Sequence, residues 1–219
     1  MLFRSLAQAI QLLDKHLDGL RERLMTYFEI QDLNLKKPKL VGVTACHDGA
    51  GVSTLAGELA SALSRSGEGN VLLVDMKMEK GRTQSFHNGT PGCGLEQALG
   101  ADSKGEAQIE KNLFLAGFEE NEQDENAGRP LPARFTHLVP KLKASDYEYI
   151  IFDMPTVSPT SPTPRLASYM DVTLLVLESG KTAQKPAARA LALMRESRAS
   201  VTAVLNKYRP QVPARIAQD

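Results

Sequence analysis

The sequence predicts an α/β fold: a mostly parallel sheet with helices on both faces, preceded by an N-terminal amphipathic helix. Three observations carry this. From Lys39 onward, short apolar runs alternate with amphipathic, helix-like segments. Strands that are apolar throughout belong in a parallel sheet covered on both faces. A glycine-bearing loop, TACHDGAGVST (44–54), joins the first run to the first of those helices. Two of the runs, VLLVD and YIIFD, close in aspartate, at Asp75 and Asp153. Ligands of such sheets bind at the carboxyl ends of the strands, which is where these residues fall.

Met1 to Gln31 reads as a helix. Leu6, Ile10, Leu13, Leu17, Leu20 and Leu24 recur at steps of four and three, a heptad seam with charged residues between. Two readings stand: a long helix packed on its own domain, or a docking helix for another subunit or a partner. Three heptads alone make a marginal coiled coil. Lys36-Lys37-Pro38-Lys39 is the hinge, because proline ends a helix. LVGVTA (40–45) is the first strand, Ser53 to Ser66 a helix closed by Gly67, and NVLLVD (70–75) the second strand. A softer stretch runs to Lys111 and holds Thr90-Pro91-Gly92 and a short helix near LEQALG. NLFLAGF (112–118) is the third strand. Glu119 to Arg129 is an acidic loop, read as a solvated face or an acidic docking site. Pro132 to Ala144 is a helix. EYIIFD (148–153) is a strand, followed by the proline-rich loop MPTVSPTSPTP. DVTLLVLE (171–178) is a strand, Thr182 to Arg198 a helix and SVTAVLN (200–206) the last strand. The organisation is thus helix and hinge over 1–35, one α/β domain over 36–208 and an irregular tail over 209–219.

Composition excludes several classes. The 26 Lys and Arg balance 26 Asp and Glu, so no general attraction to nucleic acid or anionic lipid is implied. No run of about 18 apolar residues is present to span a membrane. The N-terminus is not patterned as a signal peptide. Cys46 and Cys93 form no framework or metal spacing, and a reduced, cytoplasmic setting is the default. The four histidines are scattered, which disfavours a metal-dependent hydrolase.

The loop has the frame of a phosphate-binding loop. Gly49 and Gly51 let the backbone turn tightly and approach a ligand. Ala50 lies between them, and Val52, Ser53 and Thr54 open a helix whose free amides and positive end suit an anion. Ser53 is placed to offer its hydroxyl to magnesium. Asp75 and Asp153 would hold that ion through waters, since magnesium keeps part of its hydration shell. Each feature alone is weak. The three in this order, each on an apolar strand, point to a P-loop NTPase-like domain. Lysine is expected just before Ser53, and the residue is Val52.

With these residues the chain resembles the bacterial tyrosine kinases of capsule and exopolysaccharide synthesis, within the class that includes the MinD and ParA ATPases. The resemblance runs from about Phe3 to Lys207. Gly49-Ala50-Gly51-Val52-Ser53-Thr54 is similar to the family's deviant Walker A motif. Asp75 to Glu79, in VLLVDMKME, is similar to its Walker A′, and Tyr147 to Pro155 to its Walker B. GLEQALGAD, the run from Asn112 through Phe135 and LLVLESGKT also resemble family segments. Asn206 matches the asparagine that reads adenine. The departures are equally specific. Val52 replaces the loop lysine, Lys77 the second Walker A′ aspartate and Glu79 its arginine. Of the N-terminal interface motif, which falls on Met1, Arg4 and Ala7, only Arg4 remains. Tyr208 stands alone where the family has a tyrosine cluster.

The resemblance implies ATP or ADP with magnesium as cofactor, bound weakly or not at all here. Valine supplies no charge where negative charge develops, and losing one such group costs on the order of a hundredfold to a thousandfold in rate. Lys77 has two readings: it takes over phosphate neutralisation, or it fills the site in an ion pair with Asp153 or Asp75. Cys46 has two as well, a redox role or a small buried residue. The resemblance implies a pseudokinase-like accessory protein of exopolysaccharide synthesis and export. Its setting is the inner face of the cell membrane, on a membrane polysaccharide co-polymerase or other synthesis component, with homo-oligomerisation through the N-terminal helix also open. The same resemblance allows the chain to be one domain of a longer membrane protein. Two alternatives stand: an atypical ATPase or tyrosine autokinase using Lys77, and a MinD- or ParA-like positioning protein. The last is disfavoured by His47 and Asp48, where those proteins carry an extra lysine.

Overall fold

The computed structural model describes residues 2–33, 37–77, 93–100, 104–118 and 131–208, with side chains from His16 onward. The first helix, α1 (Leu2–Ile30), is followed by β1 (Lys39–Ala45), α2 (Val52–Ser66) and β2 (Asn70–Asp75). Two four-residue helices, α3 (Leu95–Ala98) and α4 (Lys104–Ala107), lead into β3 (Gln108–Glu110) and β4 (Leu113–Gly117). Then come α5 (Leu131–Ala144), β5 (Tyr147–Asp153), α6 (Thr163–Ala167), β6 (Val172–Glu178), α7 (Gln184–Glu196) and β7 (Val201–Asn206).

Among the described residues the strands form one sheet in the order β3-β4-β2-β5-β1-β6-β7. Every pairing is parallel except β3 with β4. The expected parallel sheet is therefore found, with one antiparallel edge strand. That strand, α4 and α6 lie in stretches that the sequence marks only as soft or proline-rich. Three to five residues are too few to set up a hydrophobic period. The Thr90-Pro91-Gly92 stretch, Glu79, the acidic loop and the tail lie outside the described residues, as do the side chains of Leu6, Ile10 and Leu13.

Alternation along each strand divides the core in two. Val41, Val43, Val71, Leu73, Leu113, Leu115, Tyr149 and Ile151 face α2 and the end of α1. Leu72, Val74, Phe114, Ala116, Ile150 and Phe152 face the other way, in one cluster with Leu95, Phe135, Leu166 and Met194 from the helices there. Helices on both faces explain why these strands read as continuous apolar runs.

The C-terminal half of α1 packs on its own domain. Leu17, Leu24 and Phe28 are buried. Tyr27 donates a hydrogen bond to the Asp171 carbonyl (3.2 Å) and lies 2.7 Å from Ser200 Oγ. Among the described residues, no helix is long and apolar enough to cross a membrane.

Where the chain enters the sheet, Lys39 is buried and donates to Glu148 Oε1 at 2.6 Å. Lys37 Nζ lies 2.5 Å from Glu148 Oε2. The Lys39 ammonium also lies 5.0 Å from the Tyr149 ring centroid and 6.0 Å from that of Phe28. Burial alone would raise the Glu148 pKa, but the two lysines outweigh it and hold the carboxyl below its ordinary value.

Glu148→Ala strands the buried Lys39 charge, and the expected loss is about 3 kcal/mol near neutral pH. A depressed carboxylate stabilises above its unfolded pKa, and that stability is lost as pH falls through the folded value. The gap between wild type and variant should therefore narrow below the ordinary value of 4.5. Urea unfolding across a pH series reads it directly.

Candidate functional site

Adjacent strand ends bring the predicted residues together. Asp75 and Asp153 are register partners on β2 and β5, and Asp153 is also opposite Val43 on β1. The loop after β1 therefore leaves the sheet beside both carboxylates. Strand order reverses around β1, which opens a crevice there.

The loop is built as the sequence indicates. Gly49 and Gly51 have φ of +78° and +94°, values that L side chains rarely adopt. Gly51 is the N-cap of α2, and no side chain caps that helix end. The first-turn amides, those of Val52, Ser53 and Thr54, have no partner within the helix and suit an anion. Ala50 is fully buried beneath the loop.

The outer side of the loop is held by the end of β7. Asn206 Nδ2 donates to the Ala50 carbonyl at 2.9 Å. Its Oδ1 accepts the Lys207 amide at 2.8 Å. Lys207 Nζ donates to the Gly49 carbonyl at 2.6 Å and to Glu178 Oε1 at 3.1 Å. That lysine leads the causes that hold the Glu178 carboxyl below its usual range. Asn206, matched by resemblance to an adenine reader, is in this structure a clamp on the loop. On the β6 side, His47 Nε2 lies 2.8 Å from Thr182 Oγ1. Thr44 and Thr163 both donate to the Pro155 carbonyl, at 2.6 and 2.9 Å. Lys207, Thr44 and Glu178 were not singled out from the sequence. Their roles depend on strand register, and Lys207 follows Asn206 with no motif to mark it.

Val52 does not point into the crevice. Its side chain is 6% exposed and joins the core cluster that includes Val43 and Ala56. Ser53 is half-buried and Thr54 exposed. The cation near Ser53 comes from Lys77 instead. Its Nζ donates to Ser53 Oγ at 2.7 Å and lies 2.8 Å from Asp153 Oδ1. Its backbone N–H donates to Asp75 Oδ1 at 2.9 Å. Of the two ion pairs expected for Lys77, the ammonium thus takes Asp153, while Asp75 fixes the backbone.

Asp153 is fully buried. Lys77 Nζ lies 2.8 Å from its Oδ1, and Lys77 and Ser53 are the side chains that act on the carboxylate to favour its charged form. Burial pushes its pKa up, against the lowering effect of Lys77. Cys46 is half-buried, and burial raises its thiol pKa as well, which disfavours a reactive thiolate. It lines a cavity of about 360 Å3 with Val157, Ser158, Lys185, Arg189 and Leu193. None of the predicted phosphate-site residues borders that cavity.

Residues 39–219 match the family described as "Cellulose biosynthesis protein BcsQ", and the chain belongs to that family. The chain is 27% identical over 165 residues to the tyrosine-protein kinase YwqD of Bacillus subtilis, covering 71% of this chain and 66% of the relative's length. In fold it is similar to the VpsO kinase domain, with a TM-score of 0.66 at 19% identity, covering 92% of this chain and 98% of that one. It is also similar to a ParA family ATPase from Chlorobium tepidum, with a TM-score of 0.58 at 22% identity, over 77% of this chain and 74% of that one. The resemblance to capsule and exopolysaccharide tyrosine kinases and to ParA-type ATPases is thereby borne out.

Three substitutions test the geometry. A Cβ on Gly51 would lie 2.4 Å from Asn206 Nδ2 at a positive φ, so Gly51→Ala should destabilise by about 1–3 kcal/mol. Lys77→Met removes the counter-charge of a buried carboxylate and should cost about 3 kcal/mol. Adding Asp153→Asn should return most of that loss, and denaturant unfolding of the four proteins of the cycle measures the coupling.

Proposed function

We propose that this BcsQ-family chain is a catalytically degenerate phosphate-loop protein, an accessory component of bacterial exopolysaccharide synthesis and export. In this reading it acts by contact and conformation rather than by phosphoryl transfer. It would dock on a membrane-embedded co-polymerase or synthase at the cytoplasmic face of the membrane. The family's description, which names cellulose biosynthesis, supports the pathway class. The similarity to YwqD supports the kinase ancestry.

The observation that carries the reading is the fate of the two altered positions. Val52 turns into the core, so no cation reaches the phosphates from the loop. Phosphoryl transfer depends on positioning and charge around those phosphates. The amide cradle remains, which favours retained but weakened binding of ATP or ADP over turnover.

A second reading is supported by the Lys77 Nζ to Ser53 Oγ contact of 2.7 Å. A lysine so close to the loop is a candidate substitute for the missing one in a slow ATPase or autokinase. Asp75→Asn separates the two, because it spares both core clusters.

Expected for the accessory reading is no ATP hydrolysis above background by purified protein free of carried-over nucleotide. In a deletion strain of the source bacterium, Asp75→Asn should restore polysaccharide secretion as wild type does. Asp75-dependent hydrolysis, together with failure of a folded Asp75→Asn protein to restore secretion, would replace the accessory reading with the enzymatic one.

A further inference from the structure

Phosphate-loop sites hold a magnesium ion between the loop hydroxyl and the strand-end carboxylates. Here the residues that would hold it are Ser53, Asp75 and Asp153, and Lys77 already lies among them. Its ammonium is 2.7 Å from Ser53 Oγ and 2.8 Å from Asp153 Oδ1. Magnesium needs a nearly octahedral shell of oxygens at about 2.0–2.1 Å. An ammonium has three donors and no lone pair, so it cannot join that shell. Placed between the same two oxygens, it fills the space and repels a second cation. Asp75 Oδ1 accepts the Lys77 amide at 2.9 Å, which fixes the backbone from which the side chain reaches the site. The residues therefore do not fit magnesium as they stand.

We infer that the Lys77 ammonium is a tethered replacement for the divalent cation, and that this site takes phosphate-bearing ligands, nucleoside diphosphates first among them, without magnesium. The ligand half of the inference rests on the phosphate cradle proposed above; the exclusion of metal does not.

The charge and donor count support it. Asp153 is a fully buried carboxylate and needs a positive partner. Lys77 supplies it permanently, where an exchangeable ion would come and go with nucleotide. Ser53 and Asp153 engage two sides of the ammonium, and its side chain remains 29% exposed. Donor capacity is thus left for a phosphate oxygen seated on the α2 amides. A single positive charge neutralises less than magnesium and polarises no bound water. The same replacement that permits metal-free binding therefore withholds a main source of rate.

The test combines manganese as a metal probe with ADP as a phosphate probe. Mn2+ titration of the protein alone, read by electron paramagnetic resonance, compares wild type with Lys77→Asp and Lys77→Asn. The asparagine variant guards against a fold that tolerates no third carboxylate. Calorimetry with ADP is run in EDTA and in excess Mg2+. Wild type should leave Mn2+ free, and at least one variant should bind it. Wild-type ADP affinity should differ by less than about twofold between EDTA and Mg2+, while Lys77→Asp should gain about tenfold or more with Mg2+.

Mn2+ binding by wild type overturns the inference. So does failure of both folded variants to bind it, and so does a wild-type ADP affinity that falls about tenfold in EDTA. If wild type binds no ADP in either buffer, the cradle reading fails by itself and the manganese titration still decides the metal exclusion.

Discussion

The site is organised around one buried charge. Asp153 ends the central strand β5 with no exposed surface, flanked by β1 and β2. An isolated carboxylate in that position is costly, and a cation must stand against it. Lys77 does so from the residue stretch just past β2, with its backbone fixed by Asp75 and its tip on Ser53. One ion pair therefore joins the ends of β2 and β5 to the start of α2. It also decides what else the crevice can hold, because the ammonium occupies the space nearest the loop hydroxyl. Desolvation still pushes the Asp153 pKa up, so the pair is a constraint on arrangement more than a source of stability.

The loop keeps its shape by contacts that involve no ligand. Asn206 and Lys207 hold its carbonyls from β7, His47 ties it toward α7 through Thr182, and Thr44 fastens the end of β1 to Pro155. Backbone carbonyls satisfied on the outside leave the amides of the α2 end directed elsewhere. That is preorganisation for an anion: the helix end needs no rearrangement to receive one. It also separates two properties usually found together. Geometry for holding phosphate resides in the backbone, whereas power to transfer it resides in side chains, and here the side chains are the part that differs.

Much of this was legible in the sequence. The apolar strands could be read because burial on both faces leaves continuous runs, and the glycine loop because positive φ demands glycine at Gly49 and Gly51. β3, α4 and α6 were not, since elements of three to five residues carry no period. The substitutions at Val52 and Lys77 were visible as residue types, but not their geometry. Whether Val52 would face phosphate or core depends on how α2 seats on β1. Whether Lys77 would pair with Asp75 or Asp153 depends on strand register. Asn206 shows what packing adds to resemblance: its amide donates to the Ala50 carbonyl, a contact that its place in the sequence does not indicate. The heptad seam of α1 left two readings open. Leu20, Leu24, Tyr27 and Phe28 are engaged by the core of the sheet and α2, and Leu17 is buried, so a docking surface on α1 must use other faces or earlier residues.

Charge balance suggests why the two altered positions belong together. In the resembled motif, lysine at 52 and aspartate at 77 would set one ammonium among the three carboxylates of 75, 77 and 153. That arrangement carries an excess of two negative charges and calls for a divalent cation before any phosphate can approach. Here Lys77 stands with Asp75 and Asp153 alone, and the excess is one. A lysine at 52 added to this set would bring the sum to zero, with Asp75 and Asp153 as the two acidic groups. Valine leaves that excess at one and adds its side chain to the core beneath the loop. The replacement at 77 lowers the negative excess that a divalent cation would offset, and the replacement at 52 leaves Lys77 as the cation beside Ser53. Together they leave a site in which the buried carboxylate of Asp153 is paired by the chain itself.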